Sequence, residues 1–309
     1  GKGDDSFNEM AFNGVKKAKK DMNVAYDEVE PEGASEFKAL QRKFASSKNP
    51  DYDLVCCIGF VQTDALKKTS SNFPDQNFML VDSAVQKDNV SNYVFKEHEG
   101  SFQVGHLAGL LSTSDFSKGG GSTNGDKVVG FVGGKKNPLI KKFEAGFEAG
   151  AKHADGDITV KSAYAGSWSD VQRGKEIALS MYNEGADVVY HAAGGTGNGV
   201  FKAAKQESRY AIGVDSDQSV SADSYADWIV ASMVKHVDTA VYNAVEAANN
   251  DNFEGGNTHA LGLEKGGVEA IIGQNYTDAI PEDVTSKLKK SKQAIVDGDI
   301  SVPTDPKNV

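Results

Sequence analysis

Cysteine is almost absent from this 309-residue chain: Cys56 and Cys57 stand adjacent in Leu54-Val55-Cys56-Cys57-Ile58 and there are no others. The run reads as a buried strand, on which neighbouring side chains point to opposite faces. Two inert core thiols are the expectation, a strained vicinal disulfide the alternative. The six histidines are scattered, with no HxxxH or CxxC spacing, so no metal-ligand cluster is expected. No apolar run approaches the roughly 20 residues that a membrane span needs. A basic excess is also lacking. The net charge is −11, whereas a protein that grips phosphates shows a basic face, which argues against a nucleic-acid partner. There is no G-x-S-x-G elbow, no Walker loop and no acid–base pair beside a nucleophile, so catalysis is not indicated. Neither a signal peptide nor a lipid-attachment cysteine is visible. The chain opens inside a loop that a strand would normally precede, so the native start is expected upstream of Gly1.

What remains is the composition of a globular protein, 39% apolar and 25% charged. The length suits two lobes better than one core. Short β-branched runs at 53–59, 78–82, 127–132, 159–165, 186–191 and 210–215 read as strands. Helical patterns fall between them, at 7–22, 35–46, 62–71, 100–112, 138–152, 169–184, 197–206, 233–249 and 281–295. Met10, Ala11, Gly14, Val15, Ala18 and Met22 show the 3.6-residue period within the first helix. Strand–helix alternation implies βαβ units, parallel sheets and an α/β class. The pattern runs twice, over 1–95 and 127–230, which predicts two doubly wound lobes. The segment 112–126, with Gly119-Gly120-Gly121, reads as a polar inserted loop. Helix 233–249 is expected to return to the first lobe. The predicted lobes are therefore 1–95 with 231–258, and 96–230 with 259–309, joined by several crossings. In such folds ligands lie beyond the carboxyl ends of the strands.

Candidate binding residues follow from that rule. Asp82 and Asp215 both end strands, in Val81-Asp82-Ser83 and Gly213-Val214-Asp215-Ser216-Asp217-Gln218. Each carboxylate could cap a turn or accept hydrogen bonds from a ligand, Asp82 from a purine edge and Asp215 from vicinal ribose hydroxyls. Between Asp215 and Asp217, one is expected to cap and the other to bind. Ser6 and Glu9 fit a capping box for helix 7–22. That leaves Phe7 either as a core staple or as a stacking platform. Trp168, in a strand-to-helix loop, could stack on a base or pack between lobes; base stacking contributes roughly 1–3 kcal/mol. Gly194-Gly195-Thr196-Gly197-Asn198-Gly199 looks like a dinucleotide loop, but the G-x-G-x-x-G spacing from Gly195 fails at Val200. A tight turn with exposed N–H groups is expected instead. Lys235, read into the first turn of helix 233–249, opposes the helix dipole and so calls for an anion. Asp215 across a cleft or a ligand hydroxyl would answer, and a solvated lysine is the alternative.

Taken in order, several motifs resemble the basic membrane protein family, the purine-nucleoside-binding lipoproteins of ABC importers. They are Asp4-Asp5-Ser6-Phe7-Asn8, Gly59-Phe60 with Thr63-Asp64-Ala65, Val81-Asp82, Glu99-Gly100-Ser101-Phe102, Gly130-Phe131-Val132-Gly133-Gly134, Phe143-Glu144-Ala145-Gly146-Phe147, Gly194-Gly195-Thr196-Gly197, Gly213 to Gln218 and Leu263-Glu264-Lys265-Gly266-Gly267-Val268. The resemblance implies a type I periplasmic-binding-protein fold closing on a nucleoside. It implies no cofactor, no enzyme activity, permease and ATPase partners, a monomer, and an extracytoplasmic site held by a lipid anchor. By position, Asp4, Phe7, Asn8 and Asp82 resemble the base-binding side. Trp168 falls where the family has a stacking Phe, and Asp215 with Lys235 resembles the ribose clamp, beside Gly194 and Gly195. Alternatives are a receptor for riboflavin or another ring or sugar ligand, a cytoplasmic regulator of the same fold, and a nucleoside-converting enzyme.

Overall fold

The computed structural model describes residues 3–309. Helices α1 (Phe7–Met22) and α2 (Phe37–Ala45) precede β1 (Leu54–Cys57), α3 (Thr63–Asn72), β2 (Asn77–Val81) and β3 (Val90–Phe95). Next come α4 (Glu97–Ser112), β4 (Ser117–Lys118), β5 (Gly121–Ser122), β6 (Val128–Gly133), α5 (Pro138–Ala154) and β7 (Thr159–Tyr164). They are followed by α6 (Val171–Asn183), β8 (Ala186–Ala192), α7 (Asn198–Glu207), β9 (Tyr210–Asp215) and α8 (Gln218–Ser221). The last elements are β10 (Ile229–Lys235), α9 (Val237–Asn249), β11 (Thr258–Leu261), β12 (Val268–Ile272) and α10 (Glu282–Val296).

The chain forms two compact units. One holds Asn8–Phe95 and His236–Leu261; the other holds Asp4–Phe7, Lys96–Lys235 and Gly262–Val309. Strand β10 thus stays with the second unit, although the sequence reading gave 231–258 to the first lobe. The physical reason is a misread period. Ile229 to Lys235 is a fully buried strand, and continuous burial on both faces erases the alternation by which strands are recognised. The helix begins at Val237, not at 233.

In the first unit four parallel strands run in the order β1-β2-β3-β11. Val55, Cys57, Phe78, Leu80 and Val90 meet Ala45 and Leu66 of the flanking helices in one buried cluster. Both cysteines are free thiols. Burial pushes the Cys56 thiol up to about 12 and the Cys57 thiol higher still, so neither is a nucleophile at neutral pH. Gly14 of α1 lies against the Asp238 backbone of α9; a Cβ there would stand 2.4 Å from the carbonyl oxygen.

In the second unit the order is β12-β10-β9-β8-β6-β7, all parallel except β12, which pairs antiparallel with β10. Phe131 and Tyr190 on one face pack against Phe147 of α5. Val132 and Val189 on the other face meet Ala178 of α6 and Phe201 and Ala204 of α7. Two helical layers over a parallel sheet are the expected result of βαβ alternation. Segment 113–126 is not a free loop. It forms the β4–β5 ribbon, docked at the amino ends of β8, β9 and β10. Buried Asp187 accepts hydrogen bonds from Ser112 Oγ (2.7 Å), the Asn124 N–H (2.6 Å) and Arg209 Nη1 (3.2 Å). Trp228 Nε1 and the Tyr210 hydroxyl donate to the carbonyls of Gly120 and Gly121.

Candidate functional site

The second unit gathers most of the candidate residues at one edge of its sheet. The carboxyl ends of β6, β8, β9 and β10 lead to Gly134, Gly194, Asp215 and Lys235 in turn, and the loop after β7 carries Trp168. Five adjacent parallel strands aim their ends one way, so the topology places these residues together.

Asp215 closes β9 with φ +66° and is buried, 7% exposed. A left-handed non-glycine residue costs of order 1 kcal/mol or more, and the surrounding bonds hold it in place. Gln218 Oε1 accepts from the Val214 N–H (2.8 Å), and the Gln218 N–H donates to Ser232 Oγ (3.0 Å). Of the two aspartates, Asp217 caps the short helix α8, accepting from the N–H and hydroxyl of Ser219. In the first unit, Asp82 follows β2 with φ +68°. Its own N–H donates to the Tyr93 carbonyl (2.9 Å). The two strand-end aspartates share one unusual backbone conformation.

Lys235 ends a strand rather than opening a helix, which removes the dipole argument made for it. It is nonetheless the opposite of a solvated lysine, at 1% exposed. Its ammonium lies 3.2 Å from Oε1 of Glu97, 5.1 Å from the Phe7 ring centroid and 5.7 Å from that of Phe143. Asp215 stands on the neighbouring strand, in register with Val234, within the same unit rather than across a cleft. Glu97, fully buried in the first turn of α4, was missed by sequence reasoning. The sequence pattern starts this helix at 100, so Glu97 falls in the preceding polar run Lys96-Glu97-His98-Glu99, and nothing local announces its burial.

The entry segment is fastened to this edge. The Asp5 carbonyl accepts from Ser216 Oγ (2.7 Å) and Gln218 Nε2 (3.1 Å), which carries Asp4 and Phe7 into the second unit. Asp4, Phe7 and Trp168 therefore share a unit, where the sequence reading set Asp4 and Phe7 in the other lobe. Asn8 and Asp82 belong to the first unit. One Asp4 oxygen accepts the Ser6 N–H (3.0 Å), and the Ser6 hydroxyl is buried without a partner. The expected Ser6 cap is thus not made, and Asp4 supplies an Asx turn instead.

Trp168 is half-buried and lies on Gly134, where a Cβ would meet the indole at 2.3 Å. Its carbonyl accepts the Thr196 N–H (3.1 Å), and Thr196 Oγ1 accepts the Asp170 N–H (2.9 Å). The indole loop is thereby tied to the Gly194–Gly197 turn. Within that turn, Gly194 and Gly195 are partly open, with Gly194 at φ +56°. Gly197 sits against the His191 ring, and Gly199 against the Val171 carbonyl. Those two glycines serve packing, which explains a glycine-rich loop without a dinucleotide. Among the described residues no group of three or more His, Cys, Asp or Glu side chains could hold a metal ion.

With this geometry in place, comparison is informative. A family model described as "ABC transporter substrate-binding protein PnrA-like" (Bmp) matches residues 2–306. The chain belongs to the Bmp family. A "CD4+ T-cell-stimulating antigen" of Listeria monocytogenes is 37% identical, covering 98% of this chain and 85% of its own. The "ABC transporter nucleoside-binding protein BmpA" of Lactococcus lactis is 33% identical, with 98% and 86% covered. A crystal structure of an ABC transporter solute-binding protein from Aeropyrum pernix superposes with a TM-score of 0.85 at 26% identity, covering 99% of this chain and 91% of that one. The Bmp chain is thus a substrate-binding protein of an ABC transporter, not an enzyme, with the α/β fold of type I periplasmic-binding proteins. The family is extracytoplasmic, and no described helix of this member is long and apolar enough to cross a membrane.

Proposed function

We propose that this Bmp protein captures purine nucleosides outside the cytoplasmic membrane and passes them to the permease of its ABC importer, as a monomer held by a lipid anchor. The observation that carries the reading is that a buried Asp215 and a buried Lys235 stand at the carboxyl ends of adjacent parallel strands, Asp215 in register with Val234. A carboxylate accepts and an ammonium donates, which together match the vicinal hydroxyls of a ribose. Aromatic faces are supplied at the same edge by Phe7 and Trp168, where a ring could stack. Asp4, Asn8 and Asp82 would address the base, and the Gly194 and Gly195 backbone a ligand oxygen. The name of the Lactococcus relative supports the ligand class.

Thermal unfolding with guanosine, inosine, adenosine, ribose and riboflavin tests the reading. Ligand at a hundred times its dissociation constant stabilises by about 2.7 kcal/mol. Purine nucleosides are expected to raise the melting temperature, and ribose is not. A large shift with ribose or riboflavin and none with nucleosides overturns the ligand assignment.

A further inference from the structure

We infer that Glu97 is a positioning residue for this site: it holds the Lys235 ammonium charged and aimed at the ligand edge of the second unit. The inference rests on the ribose-clamp reading of Lys235 and adds a residue to it. Glu97 is 0% exposed, and each of its oxygens lies within ion-pair reach of a lysine. Oε1 lies 3.2 Å from Lys235 Nζ, and Oε2 accepts from Lys142 Nζ of α5 at 3.2 Å. Flanked by the two lysines and closed to solvent, Glu97 is placed to act through Lys235.

A buried ammonium loses its hydration, and desolvation favours the neutral amine unless an opposite charge stands close. Glu97 is such a charge, and it faces Lys235 from α4. Among the described charged or titratable groups on the neighbouring elements, Lys142 on α5 shares the Glu97 carboxylate, Tyr190 on β8 feels the charges of Asp215 and Glu97, and Asp215 on β9 and Glu269 on β12 stand in register with Val234. Lys142 has the same sign as Lys235, so removing Glu97 leaves two lysines facing each other. Direction matters as well as charge. An ammonium has three donors on a flexible stem. A fixed carboxylate on one side, with the Phe7 and Phe143 rings beside it, restricts where the stem can place the others.

The test uses Glu97→Gln, Lys235→Met and the double variant of the full chain. Calorimetry with guanosine is run at pH 6.5 and 8.5, and unfolding without ligand from pH 7 to 10. Glu97→Gln is expected to weaken guanosine tenfold or more at pH 8.5 relative to pH 6.5, while wild type changes little. In the Lys235→Met background, Glu97→Gln is expected to change affinity less than twofold. Without ligand, a neutral folded Lys235 and a charged unfolded one mean that unfolding takes up a proton. Stability of Glu97→Gln should therefore rise with pH, and Lys235→Met should abolish that slope. A Glu97→Gln protein with wild-type affinity at both pH values, or without the slope, overturns the inference. If Glu97→Gln does not fold, recovery of folding in the double variant supports the coupling, and failure to recover overturns it. If wild type binds no purine nucleoside but the ligand-free slope appears, the nucleoside reading fails while the hold of Glu97 on Lys235 stands.

Discussion

At the residue scale, two aspartates occupy the ends of parallel strands in the same left-handed conformation. Under the nucleoside reading they divide the ligand between them. Asp215→Ala would remove one partner of buried charge-assisted hydrogen bonds, a loss of roughly 1.5–3 kcal/mol. The variant should cease to favour guanosine over its 2′-deoxy and 3′-deoxy analogues. Full discrimination in that variant would place the ribose elsewhere. Asp82 poses a different question, because an ionised carboxylate only accepts. Guanine offers N1–H and an amino group, hypoxanthine N1–H alone, and adenine a bare N1 acceptor. The expected order is guanosine at or above inosine, then adenosine, with the adenosine gap narrowing at low pH. Asp82→Asn brings both a donor and an acceptor, so it should weaken guanosine and spare adenosine. An unchanged order by calorimetry would leave Asp82 a turn residue.

At the element scale, what the sequence disclosed depended on local pattern. Helix 7–22 was legible because one face is apolar at the right period, and its range matches α1. Strands β3, β10, β11 and β12 were not; β3 is buried at all but one position and carries Ser91 and Asn92. β10 is buried on both sides and lacks alternation, while β11 and β12 are short edge strands with polar residues. The same limit hid Glu97 and the docking of the β4–β5 ribbon. A run of three glycines reads as flexibility, but here it reflects contact. A Cβ on Gly119, Gly120 or Gly121 would stand 2.4 Å, 2.4 Å or 2.6 Å from Tyr276, Trp228 or Tyr210. Gly120→Val should therefore push the ribbon off the Trp228 indole and cost about 1–3 kcal/mol. The ribbon lies at the amino ends of its strands and the candidate site at the carboxyl ends, so guanosine affinity should stay within about twofold. A chemical-denaturation curve beside a calorimetric titration separates the two effects. A large loss of affinity at full stability would give the ribbon a part in binding.

At the scale of the whole molecule, the family and the fold could be read from ordered motifs, because strand ends and turns carry them. The division of residues between the two units could not, since it depends on which sheet each strand joins. Proton linkage is a property of the same scale, and two buried histidines contribute to it. His106 is 4% exposed, with Nδ1 2.9 Å from Ser291 Oγ of α10. Burial, with His153 beside it, pushes its pKa down to about 4. His191, 0% exposed beneath Gly197, is likewise lowered to about 4 by burial. In the unfolded chain each returns to about 6.5. Between these values the unfolded state binds more protons, so stability falls as pH falls. The contribution of each is fully present above about pH 6.5 and is lost down to about pH 4. Each adds up to about 1.4 kcal/mol per pH unit over that window. Denaturation at pH 6.5, 5.5 and 4.5 should show this slope. His106→Gln should reduce it, and His106→Gln with His191→Gln should reduce it further, leaving the part that belongs to His98, also lowered by burial, and to the shifted carboxylates. A slope undiminished by both substitutions would move the acid sensitivity to His98 and the carboxylates.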